Sequence, residues 1–206
     1  VGTEAQKLYD DANLMIDELI QSGKLKSNGF AAFLPANSIG DDVLVYKDEN
    51  KTEVLERFHF LRQQAEKPQN VPNYCLSDYI APVDSGKTDY LGFFAVTAGI
   101  GIESIIAEYE KDHDDYKSIM IKAVADRFAE AFAEYLHELT RKELWAYDVN
   151  ERLSNEDLIR EKYKGIRPAP GYPACPDHTE KGLIWNLFDI EKRTGIKLTE
   201  SFAMYP

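Results

Sequence analysis

The sequence predicts an α+β domain in which a mainly antiparallel, bent sheet is packed by one long helix and several shorter helices. After an N-terminal helix, candidate strands gather before Ile102, and from there onward apolar positions recur with the helical period of about 3.6 residues. The 206 residues, of which 44% are hydrophobic, provide enough chain for one sizeable core. We therefore predict a single domain over residues 1–206.

The first half of the chain contains one helix and four strands in the prediction. The helix covers residues 3–22, because its apolar positions form one stripe and Gly23 can end it. The strands are predicted at residues 29–35, 41–46, 53–60 and 90–97. The first three are joined by short polar turns and should form an antiparallel meander. The fourth should end in a glycine-rich turn at residues 98–101.

A long helix is predicted over residues 115–145, after a short helix over residues 103–111. One face of the long helix carries its apolar residues, which are Tyr116, Ile119, Met120, Ala123, Val124, Phe128, Ala131, Phe132, Tyr135 and Leu139. Its alanines permit close packing against a sheet or a second helix. We expect this face to point into the core.

Two further helices are predicted from their start signals. Ser154 with Asp157 indicates the start of a helix that continues to residue 163. Asp177 with Glu180 resembles a capping box for the last helix. A final strand, over residues 202–205, is expected near the end of the chain.

The charge balance excludes several classes of partner. Lys and Arg number 24 against 36 Asp and Glu, which gives a net charge of −12. Such a surface repels phosphate backbones and anionic lipid, so neither nucleic acid nor a membrane is expected as a partner. No apolar run approaches the about 20 residues that span a bilayer, and no signal peptide is visible. We expect a soluble, cytoplasmic protein.

Cysteine and histidine do not form a metal-binding pattern. Two cysteines, Cys75 and Cys175, are too few for a disulfide scaffold or a cysteine-based zinc site. Cys175, Asp177 and His178 are close in sequence but lack a second pair of ligands, so no metal site is predicted. His178 should lie at the start of the last helix, and His137 should be a packing or surface residue.

A proline-rich segment, residues 165–178, differs from an ordinary loop. Its four prolines restrict the backbone, and Gly171 can adopt a positive φ or allow another molecule to approach. A stiff, extended segment leaves its carbonyl groups and the N–H groups of Ala169, Gly171 and Tyr172 for a ligand. Arg167 can bind a carboxylate, and Tyr172 offers a ring face and a hydroxyl. A rigid connector, with Arg167 in a surface salt bridge, is the simpler interpretation of the spacing alone.

The same segment carries a resemblance to a known family. Residues 167–181, RPAPGYPACPDHTEK, resemble the signature of the C-terminal activation domain of cobalamin-dependent methionine synthase. Further similar segments follow in family order: LRQQ at 61–64, YCLSD at 74–78, DDY at 114–116, ADR at 125–127, AEAFAE at 129–134 and LTES at 198–201. The resemblance therefore covers nearly the whole chain.

The resemblance implies a module that reactivates a methyltransferase of methionine biosynthesis. In that family the domain binds S-adenosylmethionine and presents it to cobalamin, which a neighbouring domain of the same polypeptide carries. Oxidised cob(II)alamin is returned to methylcobalamin by an electron from a flavodoxin-type protein and a methyl group from S-adenosylmethionine. The chain would then be a fragment of a cobalamin-dependent 5-methyltetrahydrofolate–homocysteine methyltransferase, inactive alone, with zinc only elsewhere in the full-length enzyme.

The resemblance also implies the site residues. The ligand-binding motif falls on Arg167, Ala169, Gly171 and Tyr172, and negative charge for the sulfonium and ammonium groups would come from Glu130 and Glu161. A sulfonium methyl is an activated electrophile and reduced cobalamin a strong nucleophile, so the protein has to position the reactants and exclude water. No catalytic acid, base or nucleophile is predicted.

Two departures from the family bear on these expectations. The family's domain extends further on both sides, with an acidic residue before Val1 and an aromatic segment after Pro206, so a piece of a longer polypeptide is expected. The cobalamin-binding pattern Asp-x-His-x-x-Gly is absent, which excludes a cobalamin carrier. A non-catalytic module that senses S-adenosylmethionine or docks a flavodoxin is the alternative function.

Overall fold

A four-stranded antiparallel sheet forms the centre of the computed structural model, which describes residues 2–205. Its strands are β1 (Lys26–Ile39), β2 (Asp42–Tyr46), β3 (Val54–His59) and β4 (Asp89–Ile100), in the spatial order β3-β2-β1-β4. A separate two-stranded sheet pairs β5 (Lys197–Leu198) with β6 (Met204–Tyr205). The helices are α1 (Thr3–Ser22), α2 (Ile102–Lys111), α3 (Asp115–Leu139), α4 (Asn155–Ile159), α5 (Glu180–Phe188) and α6 (Ile190–Thr194). The predicted α+β class is confirmed.

The predicted meander is confirmed, and its first strand is longer than expected. β1 and β2 are joined by a tight turn in which Gly40 adopts a φ of +62°. Ala36 to Ile39 of β1 pair with β2, whereas the preceding part of β1 pairs with β4. Strand β4 also continues through Ile100, so the turn expected at residues 98–101 is confined to its last position. Pairing with the long β1 extends both strands beyond their apolar cores.

The inward face of α3 differs from the predicted one. Tyr116, Ile119 and Tyr135 are exposed, whereas Ile121 and Leu136 are buried. The helix packs against α1 and α2 near its start and against β4 further along. The buried arc at its start, which contacts residues of α1 and α2, is formed by Met120, Ile121 and Val124. The predicted apolar face was centred on the aromatic residues of α3, and the buried face is rotated away from it about the helix axis.

The end of α3 also departs from the prediction. The α-helix stops at Leu139, and the chain continues through one wider turn, Thr140–Leu144, in which the N–H of Trp145 donates to the carbonyl of Thr140. Arg141, within this turn, is completely buried.

The start signal at Ser154 is confirmed and the one at Asp177 is wrong. Ser154 and Asp157 form a capping box at the start of α4, which ends at Ile159 rather than at residue 163. Before α5, Asp177 accepts from the N–H of Thr179, while the buried Glu180 accepts from the N–H of His59. Burial therefore takes Glu180 into a contact with strand β3.

The last helix is divided in two. Asp189 adopts a φ of +52° between α5 and α6, and Gly195, with a φ of +83°, ends the second part. None of the helices in the part of the chain that the structure describes is long and apolar enough to cross a membrane.

Candidate functional site

A groove of about 520 Å³ lies beside the proline-rich segment. One wall is formed by Glu161, Tyr163 and residues 165–169 and 172–174, and the other by Tyr74 and Tyr79. Four tyrosines line this space in total. The volume is within the range of about 300–1,000 Å³ that is typical of small-molecule sites.

Hydrogen bonds from neighbouring segments position the tyrosine wall. Arg62 donates two hydrogen bonds of 2.7 Å to the carboxylate of Asp78 and a third to the carbonyl of Asn73. These bonds hold the short helix Leu76–Tyr79 and keep the pKa of Asp78 below its usual value. The N–H of Leu76 donates to the carbonyl of Ala174 at 2.7 Å, which connects the two walls.

The sequence predicts that the proline-rich segment is extended, but only part of it is. Residues 166–169 have no regular structure, and the chain then turns back on itself at residues 170–175. Within this turn Gly171 N–H donates to Cys175 O at 2.7 Å and Tyr172 N–H donates to Ala169 O at 3.0 Å. The expectation that these two N–H groups are free for a ligand is therefore wrong. Ala169 N–H makes no hydrogen bond within residues 2–205.

Gly171 is required by the geometry of this turn. Its φ is +105°, and a Cβ added at this position would overlap the ring of His178. His178 is held in turn by Lys181, whose Nζ is 3.1 Å from its Nδ1. Gly171 therefore shapes the turn and does not line the groove.

Gly171→Ala is expected to lower the free energy of unfolding by about 2 kcal/mol, because it adds backbone strain and a collision with His178. Urea denaturation measures the change. The control is Gly2→Ala, since an added Cβ there meets no atom within 4 Å. An unchanged midpoint for Gly171→Ala would show that the turn can relax at little cost.

Arg167 contacts a carboxylate from the long helix. Its Nη2 is 2.7 Å from Glu134 Oε2, and the two side chains are 24% and 31% exposed. The salt bridge anticipated by the simpler interpretation therefore exists, but it lies at the groove and leaves part of the guanidinium accessible.

Buried side chains pack against Tyr163, which lines the groove. Arg141 donates two hydrogen bonds to Glu151, at 2.5 and 2.7 Å, and its guanidinium lies 4.5 Å from the centre of the Tyr163 ring. His137 meets the same ring edge-on at 4.8 Å. Burial lowers the pKa of His137 to about 3, with smaller contributions from the charges of Arg141 and Arg167. His137 is therefore a neutral packing residue, as one of the two interpretations held.

The predicted site residues are brought together in part. Arg167, Ala169, Tyr172 and Glu161 line the groove. Glu161 follows α4 with a φ of +52°. Glu130 does not line it: its side chain is 62% exposed, pairs with Arg127 at 2.8 Å and lies one turn before Glu134 on α3.

Sequence reasoning missed several residues of the site. Tyr74 and Tyr79 come from a distant segment, and only the similarity of residues 74–78 to the family drew attention to that segment. The sequence predicts Tyr163 at the end of a helix, but that helix stops at Ile159. Arg141 and Glu151 carried no signal, because a buried ion pair cannot be distinguished from surface charges in one sequence.

Both cysteines are buried. Cys75 and Cys175 are both free thiols, and burial raises the pKa of Cys175 to about 12. Among residues 2–205 no three His, Cys, Asp or Glu side chains are grouped as a metal site requires.

Comparison with known proteins identifies the family. The family model described as "Vitamin B12 dependent methionine synthase, activation domain" matches residues 1–206. Among solved structures, a crystal structure of the MetH reactivation domain bound to AdoHcy superposes with a TM-score of 0.94 and is 58% identical in sequence. The match covers 100% of the present chain and 63% of the solved chain. The chain belongs to the family of activation domains of vitamin B12 dependent methionine synthases.

Proposed function

We propose that this chain binds S-adenosylmethionine in the groove and serves as the reactivation module of a cobalamin-dependent methionine synthase. The observation that carries the proposal is the convergence of Arg167, Ala169, Tyr172 and Glu161 on one groove. Family membership and the AdoHcy bound to the 58% identical relative support the same ligand class.

The polar groups of the groove suit the two ends of this ligand. Arg167 would bind the carboxylate, and the unpaired N–H of Ala169 could reach a carboxylate or ribose oxygen. Glu161 would favour the ammonium or sulfonium charge. Tyr172 is 65% exposed and offers its ring face to the adenine or the sulfonium. Gly171 would act by shaping the turn, and Glu130 would act through the negative charge that it adds to α3.

The chemistry asks for positioning and exclusion of water. Cobalamin, carried by a neighbouring domain of the same polypeptide, would supply the nucleophile after one-electron reduction by a flavodoxin-type protein. The residues of this chain would hold the sulfonium methyl in place, and no side chain would have to move a proton. In this proposal residues 1–206 form one cytoplasmic domain that is inactive without its neighbours. Membership of the family favours this function over a purely sensing or docking module.

Arg167→Ala is expected to weaken S-adenosylmethionine binding about tenfold, because the ligand carboxylate loses a charge-assisted hydrogen bond. Isothermal titration calorimetry of the 206-residue chain measures the affinity, and the thermal midpoint shows whether the fold is intact. The control is Arg160→Ala, an exposed arginine that does not line the groove. Equal affinities for the chain and its Arg167→Ala variant would remove Arg167 from the site, and no binding by the unmodified chain would refute the proposed ligand.

A further inference from the structure

Arg167 lies on a segment that cannot fix its side chain by itself. Residues 166–169 belong to no helix or strand. Within residues 2–205 the well-aligned hydrogen bond of the guanidinium is the one from Nη2 to Glu134 Oε2, at 2.7 Å, and the hydroxyl of Tyr163 is a second polar neighbour. Nη1 makes no hydrogen bond there. The direction in which Arg167 presents its remaining donors therefore depends mainly on Glu134, whose carboxylate carries the opposite charge.

The contact between Arg167 and Glu134 leaves one donor and one acceptor of the two side chains unpaired. Arg167 Nε and Glu134 Oε1 are both buried, and neither has a hydrogen-bond partner among residues 2–205. A guanidinium and a carboxylate can join through two parallel N–H···O bonds. The two unpaired atoms thus belong to a pair of side chains whose chemistry allows a tighter contact.

Glu134 itself lies on a rigid support. It belongs to α3, which packs along β4. One turn further on, His137 contacts the ring of Tyr163, and Arg141 covers that ring while bound to Glu151. An anchor on such a helix holds its partner with little loss of conformational entropy when a ligand binds.

We propose that Glu134 is a positioning residue that orients Arg167, so that Nη1 is presented to the carboxylate of the ligand in the groove. The proposal rests on the proposed function, since it assigns the anchor of the residue that would bind S-adenosylmethionine. Glu134 acts on the ligand through Arg167. Its own charge repels a carboxylate, so orientation and repulsion have opposite effects on affinity.

Three substitutions at position 134 separate these two effects. Glu134→Ala removes the anchor, and S-adenosylmethionine binding is expected to weaken about tenfold. Glu134→Asp keeps the charge but is one methylene too short for the contact, so it should weaken binding similarly. Glu134→Gln keeps an oxygen that can accept from Arg167 Nη2 and removes the repulsion, so its affinity should stay within about threefold of that of the unmodified chain.

A ligand without the carboxylate provides the readout that a purely structural role would not give. Decarboxylated S-adenosylmethionine keeps the adenine and the sulfonium, and its affinity should be the same for all three variants. Calorimetry with both ligands measures this, and Glu138→Ala is the matched control. Glu138 lies one turn further along α3, pairs with Lys142 at 2.9 Å and does not line the groove.

The outcomes distinguish this inference from the proposed function. If the unmodified chain binds S-adenosylmethionine and Glu134→Ala leaves the affinity unchanged or higher, Glu134 does not position Arg167. Equal losses for Glu134→Gln and Glu134→Ala, or an equal loss for both ligands, would also overturn the inference. If Glu134→Ala does not fold, Glu134→Asp and Glu134→Gln still decide between the alternatives. Failure of the unmodified chain to bind either ligand would instead refute the proposed function.

Discussion

Replacing Arg141 with alanine is expected to lower the free energy of unfolding by about 3–5 kcal/mol. Arg141 has no exposed surface, and the side chain of its partner Glu151 is 4% exposed. Removing one partner leaves the other charge buried without a counter-charge, and that desolvation is no longer offset. The substitution also removes the guanidinium that covers the ring of Tyr163.

The measurement is chemical denaturation at neutral pH, with two comparisons. Glu151→Ala should cost a similar amount, because it leaves the Arg141 charge unpaired. Lys142→Ala, which breaks the partly exposed pair with Glu138 on the same stretch of chain, should cost no more than about 0.5 kcal/mol. A loss below 1 kcal/mol for Arg141→Ala would mean that water or a rearranged side chain reaches the unpaired carboxylate.

The double variant Arg141→Met/Glu151→Leu separates the charge from its surroundings. Replacing both members of a buried pair with apolar side chains removes the uncompensated charge. We expect this variant to be more stable than either single alanine variant. If it is the least stable of the three, the hydrogen bonds and packing of the pair stabilise the fold by more than the desolvation of its two charges costs.

Local patterns predicted the sheet because the relevant interactions are close in sequence. The short turn between the first two strands and the helix start at Ser154 and Asp157 each depend on a few neighbouring residues, and both features are present as expected. The signal at Asp177 had the same spacing, but burial of Glu180 against His59 took precedence. A long-range contact of this kind has no trace in the local pattern.

The site was predictable to the extent that it lies within one short segment. Arg167, Ala169 and Tyr172 are within six residues of one another, so any compact turn brings them to the same place. The anchor Glu134 lies 33 positions away, and the helix that carries it was assigned an inward face by its aromatic residues. The sequence allows a positive φ at Gly171, but it does not show the turn that uses this φ or the bond from Gly171 to Cys175, so the expectation of free N–H groups is wrong.

Acidification is expected to destabilise the protein through His137, a residue that is only 8% exposed. Burial, aided by the charges of Arg141 and Arg167, lowers its pKa from the ordinary 6.5 to about 3. A group whose pKa is lowered by folding binds its proton more readily in the unfolded chain. Its contribution to stability is therefore complete above pH 6.5 and is lost as the pH falls from 6.5 towards 3.

The expected slope is about 1.4 kcal/mol for each pH unit within this window, or on the order of 3 kcal/mol between pH 6.5 and 4.5. Urea denaturation at several pH values, for the unmodified chain and for His137→Gln, measures it. Carboxylates titrate in both proteins, so the difference between the two curves isolates the histidine. This difference should be constant above pH 7 and should shift in favour of His137→Gln as the pH falls. Parallel curves down to pH 4 would show that His137 can take up a proton in the folded protein, through water or movement of the ring of Tyr163.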